Sequence, residues 1–183
     1  NLSTLHYNKI MPYKFTNQEV SQILKEVISA MEVKNENRFK LRAFQNAVSS
    51  IETSTYSVFD LWEKERLMEI PGIGESLSKY LGELFSKGKV AEFERLKRNL
   101  PDGMFALIGI QGIGAKRAYK LASFLDLKDR NDAVNKLYRA AKKGEIRGLE
   151  GFGEASEKQL LEAIAQLKIT KKDKPRLLWY QGD

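Results

Sequence analysis

The chain has 183 residues, 42% of them apolar and 30% charged, and it contains no cysteine. That balance belongs to a folded soluble chain rather than a disordered one, and the missing cysteines exclude disulfides, thiolate zinc sites, iron–sulfur clusters and a cysteine nucleophile. With 31 lysines and arginines against 24 acidic residues the net charge is +7, which favours an anionic partner by long-range attraction.

In chain order, Asn1 to Phe15 has no apolar period and reads as an arm. Lacking an apolar core region, it is not expected to be a secretory leader, and its His6, the single histidine, reads as a surface residue. Thr16 or Asn17 is a helix N-cap. Val20, Ile23, Leu24, Val27, Ile28 and Met31 then recur at helical spacing over about 16 residues. Phe39, Leu41, Phe44, Val48 and Ile51 mark a second helix with Arg38, Lys40 and Arg42 on its early turns. Phe59, Leu61, Trp62 and Leu67 mark a short third helix that leads into Ile70-Pro71-Gly72-Ile73-Gly74. Leu77, Leu81, Leu84 and Phe85 continue beyond that turn until Gly88, a helix-ending glycine. Val90, Phe93 and Leu96 form another helix. The Asn99–Gly103 turn then closes a bundle of four or five helices and is the natural domain boundary.

Beyond it, Met104 to Ile108 is a short arm into Ile110-Gln111-Gly112-Ile113-Gly114, and Lys116 to Leu125 is the arm that leaves. Asp129 to Lys143 is one more helix, ended by Gly144. Glu145 to Leu149 is a short arm into Leu149-Glu150-Gly151-Phe152-Gly153, and Glu154 to Leu167 is the last helix. Valine and isoleucine fall at three- and four-residue spacing rather than alternating, so no strand is expected. The expected fold is all-α: an N-terminal helical bundle followed by tandem helix-hairpin-helix units, three hairpins in total, with no sheet. The expected segments are 1–15 as the arm, 16–100, 101–168, and a basic tail at 169–183 that breaks at Pro175. Leu177-Leu178-Trp179-Tyr180 looks cut from a longer protein, or else folds back on the last helix. No apolar run nears the roughly 20 residues that span a bilayer, so no membrane is expected and the cytoplasm is the expected location.

The three glycine turns carry the chemistry. Gly72 and Gly112 are 40 residues apart (112 − 72) and Gly112 and Gly151 are 39 apart (151 − 112), a fixed period of the kind that marks a repeated supersecondary unit. Each turn opens a helix, whose first amides lack intrahelical acceptors and carry a partial positive charge that favours phosphate. Lys116 and Arg117 in a first turn oppose the helix dipole; a bound anion would explain them. The second turn is therefore the leading site, with Gly112, Ile113, Gly114, Ala115, Lys116, Arg117 and Lys120. The first follows with Gly72, Ile73, Gly74, Ser76 and Lys79, weakened by Glu75. In the third, Gly151 and Gly153 stand beside Glu154, and packing of Phe152 is the simpler role. The plain alternative for all three is a tight interhelix turn without a ligand. Main-chain contacts to phosphate carry no base information, so binding should be independent of sequence and steeply salt-dependent, with gaps, nicks, ends or bends as targets. Catalytic groups are sparse. There is no phosphate-binding Gly-x-x-x-x-Gly-Lys loop and no paired-aspartate strand for two metals. Asp126, Asp129 and Asp132 could hold a metal, but capping and surface charge explain them more simply.

The order Asn37-Arg38-Phe39-Lys40-Leu41-Arg42-Ala43-Phe44, Ile70-Pro71-Gly72-Ile73-Gly74, Lys87-Gly88-Lys89, Gly112-Ile113-Gly114 and Gly151-Phe152-Gly153 resembles the helix-hairpin-helix region of a bacterial or archaeal family X DNA polymerase, from about Thr16 to Lys168. The resemblance implies a helical domain on the 5′ side of a DNA gap, a second hairpin region on the primer side, and a gapped, nicked or primer-template DNA partner in base excision repair, with the chain as a monomer. It also implies a monovalent cation (Na⁺ or K⁺) at each hairpin when DNA is bound, held by the carbonyls of Met68, Ile70 and Ile73 and of Ile108, Ile110 and Ile113. The family's nucleotidyltransferase palm domain, with its Mg²⁺ ions, has no counterpart in this stretch. Where some members carry a lyase lysine this chain has Tyr80, so Lys79 is only a weak catalytic candidate. Three alternatives stand beside this reading: a free-standing binder of branched or bent DNA, a 5′-deoxyribose phosphate lyase or a glycosylase, and a protein-docking module with degenerate hairpins.

Overall fold

The computed structural model describes residues 12–173, with side chains through residue 167. The expected arm up to residue 11, His6 and the aromatic end of the tail lie outside the described residues. Within them every regular element is helical: α1 (Asn17–Val33), α2 (Arg38–Thr53), α3 (Val58–Glu63), a 3₁₀ turn (Leu67–Glu69), α4 (Glu75–Lys87), α5 (Ala91–Lys97), α6 (Gly103–Leu107), α7 (Ala115–Phe124), α8 (Arg130–Lys142) and α9 (Glu154–Asp173). The chain divides into two compact units between Asn99 and Leu100.

In the first unit α1 packs on α2 and α5. The helices start where side chains serve their orphan amides. Thr16 and Glu19 form a reciprocal capping box on α1, Asn37 accepts from Phe39 and Lys40 at the start of α2, and Ser57 accepts from Asp60 at the start of α3. Val20, Leu24, Val27, Met31, Ile51, Leu81 and Leu96 are buried in its core. Two aromatic groups flank them: Phe44, Tyr80 and Phe93, with centroids 5.5–6.4 Å apart, and Phe59, Trp62 and Phe85, with centroids 5.3–5.5 Å apart.

The third helix is shorter than its apolar spacing predicts. It ends at Glu63 because Glu65 turns left-handed (φ 57°) and the Arg66 amide donates back to the Leu61 carbonyl at 2.8 Å, a helix-closing reversal built without glycine. Leu67 therefore belongs to the 3₁₀ turn that enters the first glycine reversal.

In the second unit α6 packs on α7 and α8, and α8 on α9. Met104, Leu107, Leu121, Leu127, Leu137, Ile146 and Ile164 are buried. Gly103 starts α6 with its Cα against Leu127: a Cβ there would sit 2.6 Å from the Leu127 carbonyl oxygen, which accepts the Gly103 amide at 3.0 Å. Glu145–Leu149 is a hydrogen-bonded turn rather than a helical arm. The backbone of α9 runs on to Asp173, past the expected stop at Leu167 and across the expected segment boundary at 168.

Candidate nucleic-acid interface

The same reversal is built at three places by three equivalent backbone bonds. In the first, Ile70 donates to Leu67 (3.1 Å), Ile73 to Ile70 (3.1 Å) and Ser78 to Gly74 (2.9 Å). In the second the pairs are Ile110 to Leu107 (3.2 Å), Ile113 to Ile110 (2.9 Å) and Ala118 to Gly114 (2.9 Å). In the third they are Leu149 to Ile146 (3.0 Å), Phe152 to Leu149 (2.8 Å) and Glu157 to Gly153 (2.9 Å). The first glycine of each takes a positive φ: 87° at Gly72, 82° at Gly112 and 84° at Gly151, which a Cβ would disfavour. Ile70, Ile73, Ile110, Ile113 and Phe152 are buried beneath the turns.

The helices that leave the turns begin without a side-chain cap: Gly74 and Gly114 are the N-cap residues of α4 and α7. Among the described residues the amides of Gly74, Glu75, Ser76 and Leu77 have no acceptor, and neither do those of Gly114, Ala115 and Arg117. These are outward-facing donors at the positive end of a helix dipole. The surface above them is open. A Cβ built on Gly74, Gly112 or Gly114 meets nothing within 4 Å, whereas one on Gly72 would lie 3.0 Å from the Ala47 amide nitrogen, because the first reversal abuts α2.

The side chains sort differently from the sequence expectation. Ser76, Lys79 and Lys116 are exposed at the helix starts. Ile73 and Ile113, expected among the contacts, have buried side chains and amides already spent in the turn, so only their carbonyls remain. Arg117 turns inward: its Nη1 donates to the Gly112 carbonyl at 2.8 Å, and its guanidinium carbon lies 4.5 Å from the centroid of the Phe152 ring. Its Nε is buried without a partner. Lys120 reaches the Glu150 carbonyl and carboxylate, the latter at 3.1 Å. Both cations are thus bound to the third reversal. Gly151 and Gly153 are exposed there beside Glu154.

Glu157 is a residue the sequence reading missed. It is 1% exposed. Its Oε2 accepts the Ile146 and Arg147 amides at 3.0 Å each, and its Oε1 accepts Arg147 Nε at 2.8 Å. Burial would raise its pKa, but the hydrogen bonds and charge of Arg147, with the Ile146 amide, outweigh burial and hold the carboxyl below its ordinary value. The same register in the other repeats holds Ser78 and Ala118. This carboxylate therefore replaces, in the third reversal alone, the helical arm that it lacks. The isolated glutamate in a polar helix gave no signal; its offset from Arg147 could have.

The six carbonyls expected to hold a cation are hard oxygen donors of the right type. Those of Ile70 and Ile110 each accept one turn bond, and those of Met68, Ile73, Ile108 and Ile113 accept none among the described residues, so the set retains the lone pairs that a monovalent ion would need. Tyr80, at the lyase position, is half-buried, with its ring 6.4 Å from Phe44 and 5.5 Å from Phe93 and Lys40 Nζ 5.9 Å over it. Lys40 is itself paired with Glu92 at 2.8 Å. Asp129 caps α8, Asp126 pairs with Lys128 and Asp132 with Arg139, and the described residues contain no cluster of three metal-ligating side chains. No described helix is long and apolar enough to cross a membrane.

Comparison with known proteins agrees with this architecture. A family described as a helix-hairpin-helix domain matches residues 15–90, and one described as a SAM-like helix-hairpin-helix tandem matches residues 105–166. Over 149 residues, 81% of the chain, the sequence is 30% identical to the DNA polymerase/3'-5' exonuclease PolX of Bacillus subtilis (strain 168); the chain spans about a quarter (25%) of that relative's length.

Proposed function

The chain is a tandem helix-hairpin-helix protein similar in sequence to a family X DNA polymerase, and we propose that it grips DNA by the sugar–phosphate backbone without reading base sequence. One observation carries this reading. At Gly74 and Gly114 the backbone is extended (φ −91° and −86°), a Cβ would meet nothing, and the helix amides beyond have no acceptor. Among the described residues nothing within 4 Å requires a bare Cα at these positions, whereas a phosphate seated on the amides would.

In this reading the amides after Gly74 and Gly114 take phosphate oxygens, Lys116 and Lys79 add charge, and Ser76 offers a hydroxyl. A monovalent cation on the carbonyls of Ile70 and Ile110 and their neighbours would lend each hairpin a further positive charge. Contacts of this kind fix register on the duplex but do not select a base. The finer role is the DNA-holding part of a gap-filling repair polymerase, whose two-metal chemistry would belong to another domain.

The test is affinity for gapped, nicked and intact duplexes of unrelated sequence at several salt concentrations. The expected result is equal affinity across sequences, preference for the gapped form, and a log–log salt slope steeper than about −2, since roughly 0.9 is lost per phosphate contact. Lys116→Glu should weaken binding to every sequence alike. A slope near zero, or no binding at low salt, refutes the proposal.

A further inference from the structure

Glu65 closes α3 with a left-handed turn (φ 57°), and the reversal lays Trp62, Leu67 and Met68 beside α4. Together with Glu65, Glu75, Ser78 and Lys79 they line a cleft of about 390 Å³. We propose that this cleft docks a basic peptide segment of a partner protein, one that carries a large apolar side chain next to lysine or arginine. The inference does not depend on DNA being held.

Packing builds the apolar half. Trp62 is half-buried, with its ring 5.5 Å from Phe59 and 5.3 Å from Phe85. Gly82 admits the indole against α4: a Cβ there would lie 3.3 Å from Trp62 Nε1, and glycine is otherwise a poor choice inside a helix. Leu67 is buried and forms the floor, while Met68 is 60% exposed at the rim. The cation reading uses the Met68 carbonyl and leaves its side chain without a task. An unbranched thioether adapts to partners of different shape, and methionine is enriched where proteins meet.

The charges select the partner. Glu75 and Lys79 stand four residues apart on one face of α4, yet neither they nor Glu65 make an ion pair among the described residues. Glu63, also exposed, adjoins Trp62. Carboxylates thus outnumber ammonium groups here, in a chain whose net charge is +7, and the local field favours cations. Phosphate is repelled from such a rim, and an uncharged apolar ligand leaves the carboxylates unanswered. A segment with cations beside a large apolar side chain answers both halves. The side chain covers Trp62 and Met68, and the cations pair with Glu65 and Glu75.

The probe is the peptide Lys-Lys-Leu-Leu-Lys, labelled for fluorescence anisotropy, with Glu-Glu-Leu-Leu-Glu and Lys-Lys-Ser-Ser-Lys as comparisons. The parent chain should bind the lysine–leucine peptide about tenfold or more tightly than either comparison, and less tightly as salt rises. Met68→Ser should weaken that binding about fivefold or more. Glu65→Gln combined with Glu75→Gln should weaken it and flatten its salt dependence. Circular dichroism verifies the fold of each variant. No binding of the lysine–leucine peptide, equal affinity for the two lysine peptides, or no loss in either variant overturns the dock. Self-association of the parent chain that Met68→Ser abolishes, read by sedimentation, gives the cleft to a second copy and also overturns it.

Discussion

Replacing Gly114 by alanine separates a demand of the fold from a demand of the ligand. The residue is extended (φ −86°, ψ 174°) and the added methyl meets no atom within 4 Å, so no strain arises. Restricting the unfolded chain gains about 0.4–1 kcal/mol, and alanine is a poorer N-cap than glycine by a similar amount, about 0.5–1 kcal/mol. The two offset each other, and a urea melt of Gly114→Ala should match that of the parent chain. A phosphate on the Ala115 and Arg117 amides would contact that methyl. Loss of one charge-assisted bond, about 1.5–3 kcal/mol, corresponds to a tenfold or greater loss of affinity. Fluorescence anisotropy on gapped duplex reads this directly. Gly112→Ala is the counter-case, since its φ of 82° costs about 1–2 kcal/mol of stability before any ligand arrives. Unchanged affinity for Gly114→Ala, with unchanged stability, would refute the claim that a strand approaches this surface.

Two further outcomes follow from the second unit. Lys116→Gln should reduce the magnitude of the log–log salt slope by about 0.9, whereas Arg117→Gln should lower affinity yet leave the slope unchanged, because that guanidinium is held by Gly112 and Phe152; equal slope changes would return Arg117 to the phosphate. Glu157→Ala should cost about 1–3 kcal/mol in a denaturant melt, because it strands the buried Ile146 amide. Since the folded pKa of Glu157 is depressed below 4.5, its contribution is full above that pH and is lost as pH falls through the lowered value. The stability gap between parent and variant should therefore narrow on acidification, and a gap independent of pH would contradict the paired carboxylate.

The reversals were legible because their signals are local. A Gly-x-Gly turn needs no partner to be recognised, and the 40- and 39-residue offsets of Gly72, Gly112 and Gly151 put equivalent backbone bonds in register. Glycine-free helix ends were not legible. Glu65 and Asp126 take left-handed φ values of 57° and 48° and close α3 and α7, and in sequence each looks like a polar surface residue. The non-local ties, Arg117 to Phe152, Lys120 to Glu150 and Glu157 to the Ile146 amide, depend on how two turns pack, which no single window contains.

Arg117 marks where dipole reasoning stops. Two cations in the first turn of α7 oppose the partial positive charge of the helix N-terminus, and the sequence alone offers one remedy, an external anion. The structure supplies internal ones for Arg117: the Gly112 carbonyl is a negative dipole end at 2.8 Å, and the Phe152 ring presents its electron-rich face at 4.5 Å. A planar guanidinium can use both at once, whereas a lysine ammonium in its place could hold the carbonyl but would stack less well. Arg117 therefore sets the position of the second reversal against the third, and the dipole argument by itself no longer calls for an external anion; Lys116 enters the proposed grip only as an exposed charge at the same helix start. If DNA is held as proposed, the charge offered to the phosphate and the residue that keeps the two turns in place are adjacent in sequence and perform different tasks, so a charge-reversing change at either one would weaken DNA binding for a different physical reason.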